Sequence, residues 1–151
     1  MIKEIDEIDL NILTHMQADA KIKMKDLSKK VHLSISAVSK RISRLEELNV
    51  IKHYAAILNN ELLGLGFTSN VCVRLVSNTS AHVAKFKEEI REFSEIVSCY
   101  VVNGKYDFIL KVRVKNSTEY NLFYNNCLGT IAGIANLCSF VIVEEVKSDI
   151  G

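Results

Sequence analysis

Residues 26–49 read DLSKKVHLSISAVSKRISRLEELN. Two amphipathic segments flank a short break here, and that arrangement decides how the first part of the chain folds. The spacing predicts a short helix over residues 25–31, with Leu27 and Val31 one turn apart. His32, Leu33 and Ser34 form a tight turn. Ser34 is the N-cap candidate for a longer helix over residues 36–48, which Asn49 ends in the left-handed conformation. At about 100° per residue, Val38, Ile42 and Leu45 of that helix share a face, which is the core side. Ala37, Lys40, Arg41 and Arg44 form a second face, and Ser36, Ser39 and Ser43 a third. Small side chains let a helix sink into a DNA major groove. Arg and Lys then reach phosphates or guanine edges, and Ser bonds to either. An ordinary amphipathic surface helix carries the same residue types. The order helix, tight turn, basic serine-rich helix favours the DNA reading.

Upstream, a first helix is expected from Asp6 or Glu7 to Ala18, with Ile8, Ile12, Leu13 and Met16 as its buried stripe and Asp6 as its N-cap. The net charge of the whole chain is only +1, yet between Lys21 and Leu45 eight cations face Asp26 alone. Such a cluster reads either as a phosphate-binding footprint or as a solvated helical face.

The chain has no proline, so its boundaries are read from Gly, Asn and changes of period. The period changes near residue 60, at Asn59-Asn60 and the Gly64-Leu65-Gly66 turn. This predicts a helix-turn-helix domain over residues 1–60, closed by an extended linker strand at Ile51–Leu58, and a second domain over residues 61–151. In the second domain strands are expected at 69–76, 96–102, 108–114 and 140–146, with helices at 80–93 and 117–128. Ser117 is the cap candidate of the last helix. Phe108, Leu110, Val112 and Val114 alternate with Lys111, Arg113 and Lys115. The order βαββαβ is the ferredoxin-like pattern, so the fold class is α+β, a winged-helix-like domain followed by a ferredoxin-like one. An antiparallel sheet with helices on one face leaves its other face free to pair with a second subunit.

Composition agrees with a globular chain: 48% of residues are apolar and 25% charged. The start, MIKEIDEIDLNIL, is acidic before any apolar run and does not read as a signal peptide. No apolar stretch reaches the roughly 20 residues of a membrane span. A soluble, cytoplasmic protein is expected. Cys72, Cys99, Cys127 and Cys138 are widely spaced, without a C-x-x-C pair or a His at metal spacing. Cys72 and Cys99 read as small buried hydrophobes. No metal or cofactor is implied.

Four segments in order, IDEIDLNILTHMQADAKI, DLSKKVHLSISAVSKRISRLEELNVIKHYAAILN, VVNGKYDFILKV and SFVIVEEVK, resemble the Lrp/AsnC family, the leucine-responsive and asparagine-responsive transcription regulators. The resemblance covers essentially the full length. It implies binding of double-stranded DNA by the third helix, with Ser36, Ala37, Ser39, Lys40, Arg41 and Arg44 at DNA-facing positions. It implies a homodimer built through the C-terminal sheets, assembled further into tetramers or octamers. It also implies an effector pocket between dimers, for an amino acid, lined by Asn103, Gly104, Lys105, Tyr106 and Asp107, with Val101, Ser139 and Phe140 at matching positions. Chemistry makes that pocket reasonable. A free amino acid needs an acceptor for its ammonium, which Asp107 provides, and donors for its carboxylate, which a Gly-containing turn provides. Taken without the resemblance, Asp107 reads rather as a turn residue bonding its own backbone.

The chain departs from the family pattern at three positions. His32 and Asn49 stand where Gly is usual, and both tolerate positive φ better than most residues. Leu137 stands where Thr is common, which points to a smaller or more apolar effector pocket. The alternative reading is an enzyme, a tetrapyrrole decarboxylase of similar architecture. Such a protein needs cations and histidines around substrate carboxylates. Here the cations gather on the third helix, and His15, His32, His53 and His82 form no cluster in sequence.

Overall fold

The structure, a computed structural model, describes residues 5–147. It separates into two compact units, the first ending at Ile57 and the second running from Leu58 to Lys147.

The first unit holds three helices: α1 (Glu7–Ala18), α2 (Met24–Lys30) and α3 (Ile35–Glu47). Ser34 caps α3 as expected, its side chain accepting from the Ala37 N–H at 3.2 Å. His32 and Asn49 both sit at positive φ, 54° and 55°. They provide the turn before α3 and the reversal after it. The core is built from Ile12, Leu27, Val31, Val38, Ile42 and Leu45, so the apolar face read for the third helix is the buried one. One expectation for α1 fails. Ile8 is exposed, and the buried position at the start of the helix belongs to Asp9. Ile51–Leu58 forms no strand. An extended segment becomes a strand only by pairing with another, and this one has no ladder partner within the described residues.

The second unit contains β1 (Phe67–Leu75), α4 (Ser80–Arg91), β2 (Ile96–Val101), β3 (Phe108–Val114), α5 (Ser117–Asn126) and β4 (Ile134–Val141). The sheet order is β2-β3-β1-β4 with antiparallel neighbours throughout, as the ferredoxin-like pattern requires. Val71 and Val73 of β1 and the alternating apolar residues of β3 form the core with Phe86 and Ile90 of α4 and Tyr120 and Phe123 of α5. Both helices therefore cover one face of the sheet. Cys72, Ile109 and Cys138 alternate with core positions and lie on the other face.

Three details differ from the sequence reading. The last strand is Ile134–Val141, not 140–146. Its ladder with β1 runs from Leu75↔Ile134 to Ser69↔Val141, and Val143 and Val146 beyond it are almost fully exposed. Asn116, not Ser117, caps α5, accepting from the Glu119 N–H at 2.9 Å. Cys99 is exposed because β2 is an edge strand with its outer side uncovered; Cys72, on central β1, is buried as expected.

Candidate nucleic-acid interface and effector-binding turn

α3 offers its polar side outward. Ser36, Ser39, Lys40, Ser43 and Arg44 are exposed, Ala37 and Arg41 half-buried. Ala37, Lys40, Arg41 and Arg44 line one groove of about 560 Å³ with Asp6, Ser43 and Glu47. Ser39 lies on the other flank of the helix, where it lines a second groove with Met16 and Tyr54. Ser36 stays at the helix start, its hydroxyl 3.1 Å from that of Ser34.

Sequence reasoning treated Arg41 and Arg44 as free cations. In the structure both are bound to a carboxylate that it passed over. Asp9 has no solvent exposure. Its Oδ1 accepts from Arg41 Nη1 at 2.7 Å and its Oδ2 from Arg44 Nη2 at 2.5 Å. Arg41 Nη1 also donates to Asp6 Oδ2 at 2.8 Å. The two acids are fixed by a reciprocal capping box: the Asp9 N–H donates to Asp6 Oδ1, and the Asp6 N–H to Asp9 Oδ2. The Asp9 N–H, and then Arg41, hold the Asp6 carboxyl below its ordinary value of 3.8. The same acids raise the already high value of Arg41. A signal was present in the sequence. Asp9 lies on one stripe with Ile12 and Met16 of α1, and an acid on a core stripe needs buried donors. Two acids spaced i, i+3 facing two arginines spaced i, i+3 supply them.

In the second unit, the turn between β2 and β3 is tied to the end of β1. The Asp107 N–H donates to the Val73 carbonyl, and the Val102 N–H to the Asp107 carbonyl, both at 2.9 Å. Asp107 Oδ2 accepts from the Leu75 N–H at 2.7 Å, where the β1–β4 register shifts. Arg74 Nη1 donates to the Lys105 carbonyl at 2.8 Å. The Asp107 carboxylate thus bonds the backbone of another strand. Gly104 has φ +155°, and a Cβ there would meet nothing within 4 Å. Tyr106 lies against Cys138, whose thiol raises the tyrosine hydroxyl above its ordinary value. Val101 ends β2 opposite Phe108, in a row that continues through Val73 to Leu137. Ser139 and Phe140 lie on β4, at the far side of the sheet from Val101. The Ser139 hydroxyl meets Tyr120 Oη under α5, while Phe140 is exposed. Tyr106 of the turn meets Cys138, the neighbour of Ser139 on β4.

Residues 68–151 match the Lrp/AsnC ligand binding domain, and residues 5–52 a winged helix-turn-helix DNA-binding domain. The chain belongs to the Lrp/AsnC family. The leucine-responsive regulatory protein of Haemophilus influenzae is 37% identical over 96% of this chain and 87% of its own length. The Bkd operon transcriptional regulator of Pseudomonas aeruginosa is 35% identical over 95% and 94%. Among solved structures, a transcriptional regulator of Neisseria meningitidis in complex with L-Met matches with a TM-score of 0.90 and 25% identity, covering 95% of this chain and 93% of that one. An AsnC family regulator from Agrobacterium tumefaciens matches at 0.88 and 31%, covering 95% and 94%. This Lrp/AsnC chain is a DNA-binding transcription regulator with an effector-binding domain. Relatives of this kind are regulators, not enzymes, so the decarboxylase alternative falls away. Among the described residues no helix is long and apolar enough to cross a membrane.

Proposed function

We propose that this regulator reads operator DNA through α3, as a dimer or larger oligomer, under control of a free α-amino acid held at the Asn103–Asp107 turn. The observation that carries the effector half is the L-Met complex of a relative with the same fold across nearly the whole chain. The turn suits that ligand class. Gly104 leaves open space for an approaching carboxylate, and Asp107 has a second carboxylate oxygen for an ammonium group. Ser139 and Phe140 follow Cys138 on β4, which Tyr106 of the turn meets, and a neighbouring copy completes the pocket between dimers. Leu137 removes the hydroxyl common at its position, which favours an apolar or sulfur-containing side chain.

On DNA, two copies of α3 enter successive major grooves about 34–36 Å apart. Ser36, Ala37, Lys40 and Arg44 face the duplex most directly, with Arg41 and Ser39 on its flanks. A protein that works on the chromosome acts in the cytoplasm. Calorimetry with the twenty amino acids, followed by gel retardation with and without those that bind, tests the effector. Binding of methionine or an aliphatic amino acid with a change in DNA affinity is expected. Absence of binding by every amino acid at millimolar concentration overturns the effector reading.

A further inference from the structure

Arg41 and Arg44 stand on the DNA-reading helix, yet neither is a free charge. Arg41 spends Nη1 on Asp6 and Asp9, and Arg44 spends Nη2 on Asp9. The groove they line also holds Lys40 and Glu47. With Asp6, Asp9 and Glu47 against Lys40, Arg41 and Arg44, its local charge is balanced. The strongly basic count of residues 21–45 therefore overstates what a phosphate backbone meets at α3, because both neutralising aspartates lie outside that window.

We propose that Asp9 determines the specificity of DNA recognition: its buried carboxylate holds Arg41 and Arg44 in fixed, charge-balanced positions, so they contribute aimed hydrogen-bond donors in place of free positive charge. This deepens the reading of α3 as the DNA-binding helix and rests on it. Three features lead to it. The carboxylate is fully buried, so it cannot exchange its arginines for water. It is clamped through its own N–H and through the Asp6 N–H, so the anchor is rigid. Each guanidinium keeps unspent nitrogens, because five donors are available and the carboxylates occupy one nitrogen of each. Orientation without free charge is the combination that favours base-edge readout over non-specific attraction. Phosphate attraction is paid in released counterions, and a neutralised arginine releases fewer.

Asp9 is a positioning residue, so its test needs a readout that loss of stability alone does not move. The full-length protein first selects a preferred duplex from random sequence. Binding to that duplex and to a shuffled one of equal composition is then measured over a range of salt concentrations, with thermal unfolding in parallel. Asp9→Asn is expected to bind the shuffled duplex more tightly, with a salt slope steeper by about one to two. The ratio of preferred to shuffled affinity is expected to fall about tenfold. Asp6→Asn keeps the N-cap, since Asn caps as well as Asp, and is expected to move both quantities the same way by less. Glu88→Gln on α4, an exposed position with the same change in net charge, is expected to leave them unchanged. Folded Asp9→Asn and Asp6→Asn proteins with wild-type slopes and ratios overturn the proposal. If Asp9→Asn does not fold, Asp6→Asn alone decides. Arg41→Ala and Arg44→Ala separate the two levels. If they bind DNA as wild type does, the reading of α3 fails and takes this inference with it. If they weaken binding while the aspartate variants leave slope and ratio untouched, only the role of Asp9 is lost.

Discussion

A carboxylate with no access to water stays charged only where donors surround it, and Asp9 has three: Arg41, Arg44 and the Asp6 N–H. The arginines are 27% and 43% exposed, so the two sides of the cluster are not equivalent. Removing Arg41 leaves a buried anion short of a partner, while removing the acid leaves cations that water can reach. Arg41→Ala is therefore expected to cost about 1–3 kcal/mol of stability, read from the urea midpoint, besides any loss of DNA affinity. Acid weakens the same cluster. The folded value of Asp6 lies below its ordinary 3.8, so its contribution is complete above that pH and is lost as pH falls through the folded value. Asp6→Asn should flatten that part of the acid-unfolding curve. Asp107 has a structural bond besides the ligand role proposed for it. Its Oδ2 serves the Leu75 N–H, so Asp107→Ala leaves a backbone donor unpaired and costs about 1–3 kcal/mol. Asp107→Asn keeps an acceptor oxygen and removes only the charge. It is the variant expected to lose the effector response, by calorimetry, with the thermal midpoint nearly unchanged; an Asp107→Asn protein that binds the amino acid like wild type would remove Asp107 from the ligand site. At this scale the sequence displayed the arginines but not their partners, because ion pairs 32 and 35 residues apart leave no local period.

Elements were legible where two signals agreed. α3 combined an apolar face with a capping serine before it, and β3 alternated cleanly over its whole length; both were located within a residue or two. β4 was misplaced because the two available signals conflict. Phe140–Val146, FVIVEEV, is rich in β-branched residues but overlaps only the end of β4, whereas IANLCSFV does not alternate cleanly and yet pairs with β1. A ladder is a long-range choice that local pattern ranks poorly. Gly133, at φ +94°, turns the chain into β4 from the short 3-10 turn Leu128–Thr130, and marks the true entry to the strand. The same reasoning gives a test of α3 as an element. Ser34 supplies the side-chain acceptor at its start, so Ser34→Ala should lower stability by about 1 kcal/mol in chemical unfolding. Ser34→Asp should restore it, since Asp caps as well and its charge suits the helix dipole. If Ser34→Ala unfolds at the wild-type midpoint, the cap contributes nothing to the helix.

For the whole molecule, the open face of the sheet is the surface on which a second copy is expected. Tyr100 and Phe140, each more than half exposed, share that face with Ile109, Cys72 and Cys138. Beside them the Ser98 hydroxyl and Arg113 Nε are buried without a hydrogen-bond partner among the described residues. Apolar side chains open to water are costly in a lone chain, and that cost falls if a second copy covers the face. The charges fit such an arrangement. Lys111 and Arg113 lie on the face, and Glu144 and Glu145 follow β4 around the same small cavity, with Lys111 Nζ 4.0 Å from Glu145. Light scattering across the micromolar range should therefore show at least a dimer, and a stable monomer would refute it. Phe140→Asp places a charge on the exposed apolar area and should shift the protein to monomers while leaving the fold intact, because the side chain makes no contribution to the core. The consequence extends to DNA. Two linked copies of α3 bind a paired site with an avidity that exceeds a single helix by about 10²–10⁴, so the monomeric variant should lose at least about a hundredfold in affinity for a two-half-site duplex and much less for a single half-site. Equal losses on both duplexes would mean that the two copies read DNA independently, and that the sheet face serves assembly without serving recognition.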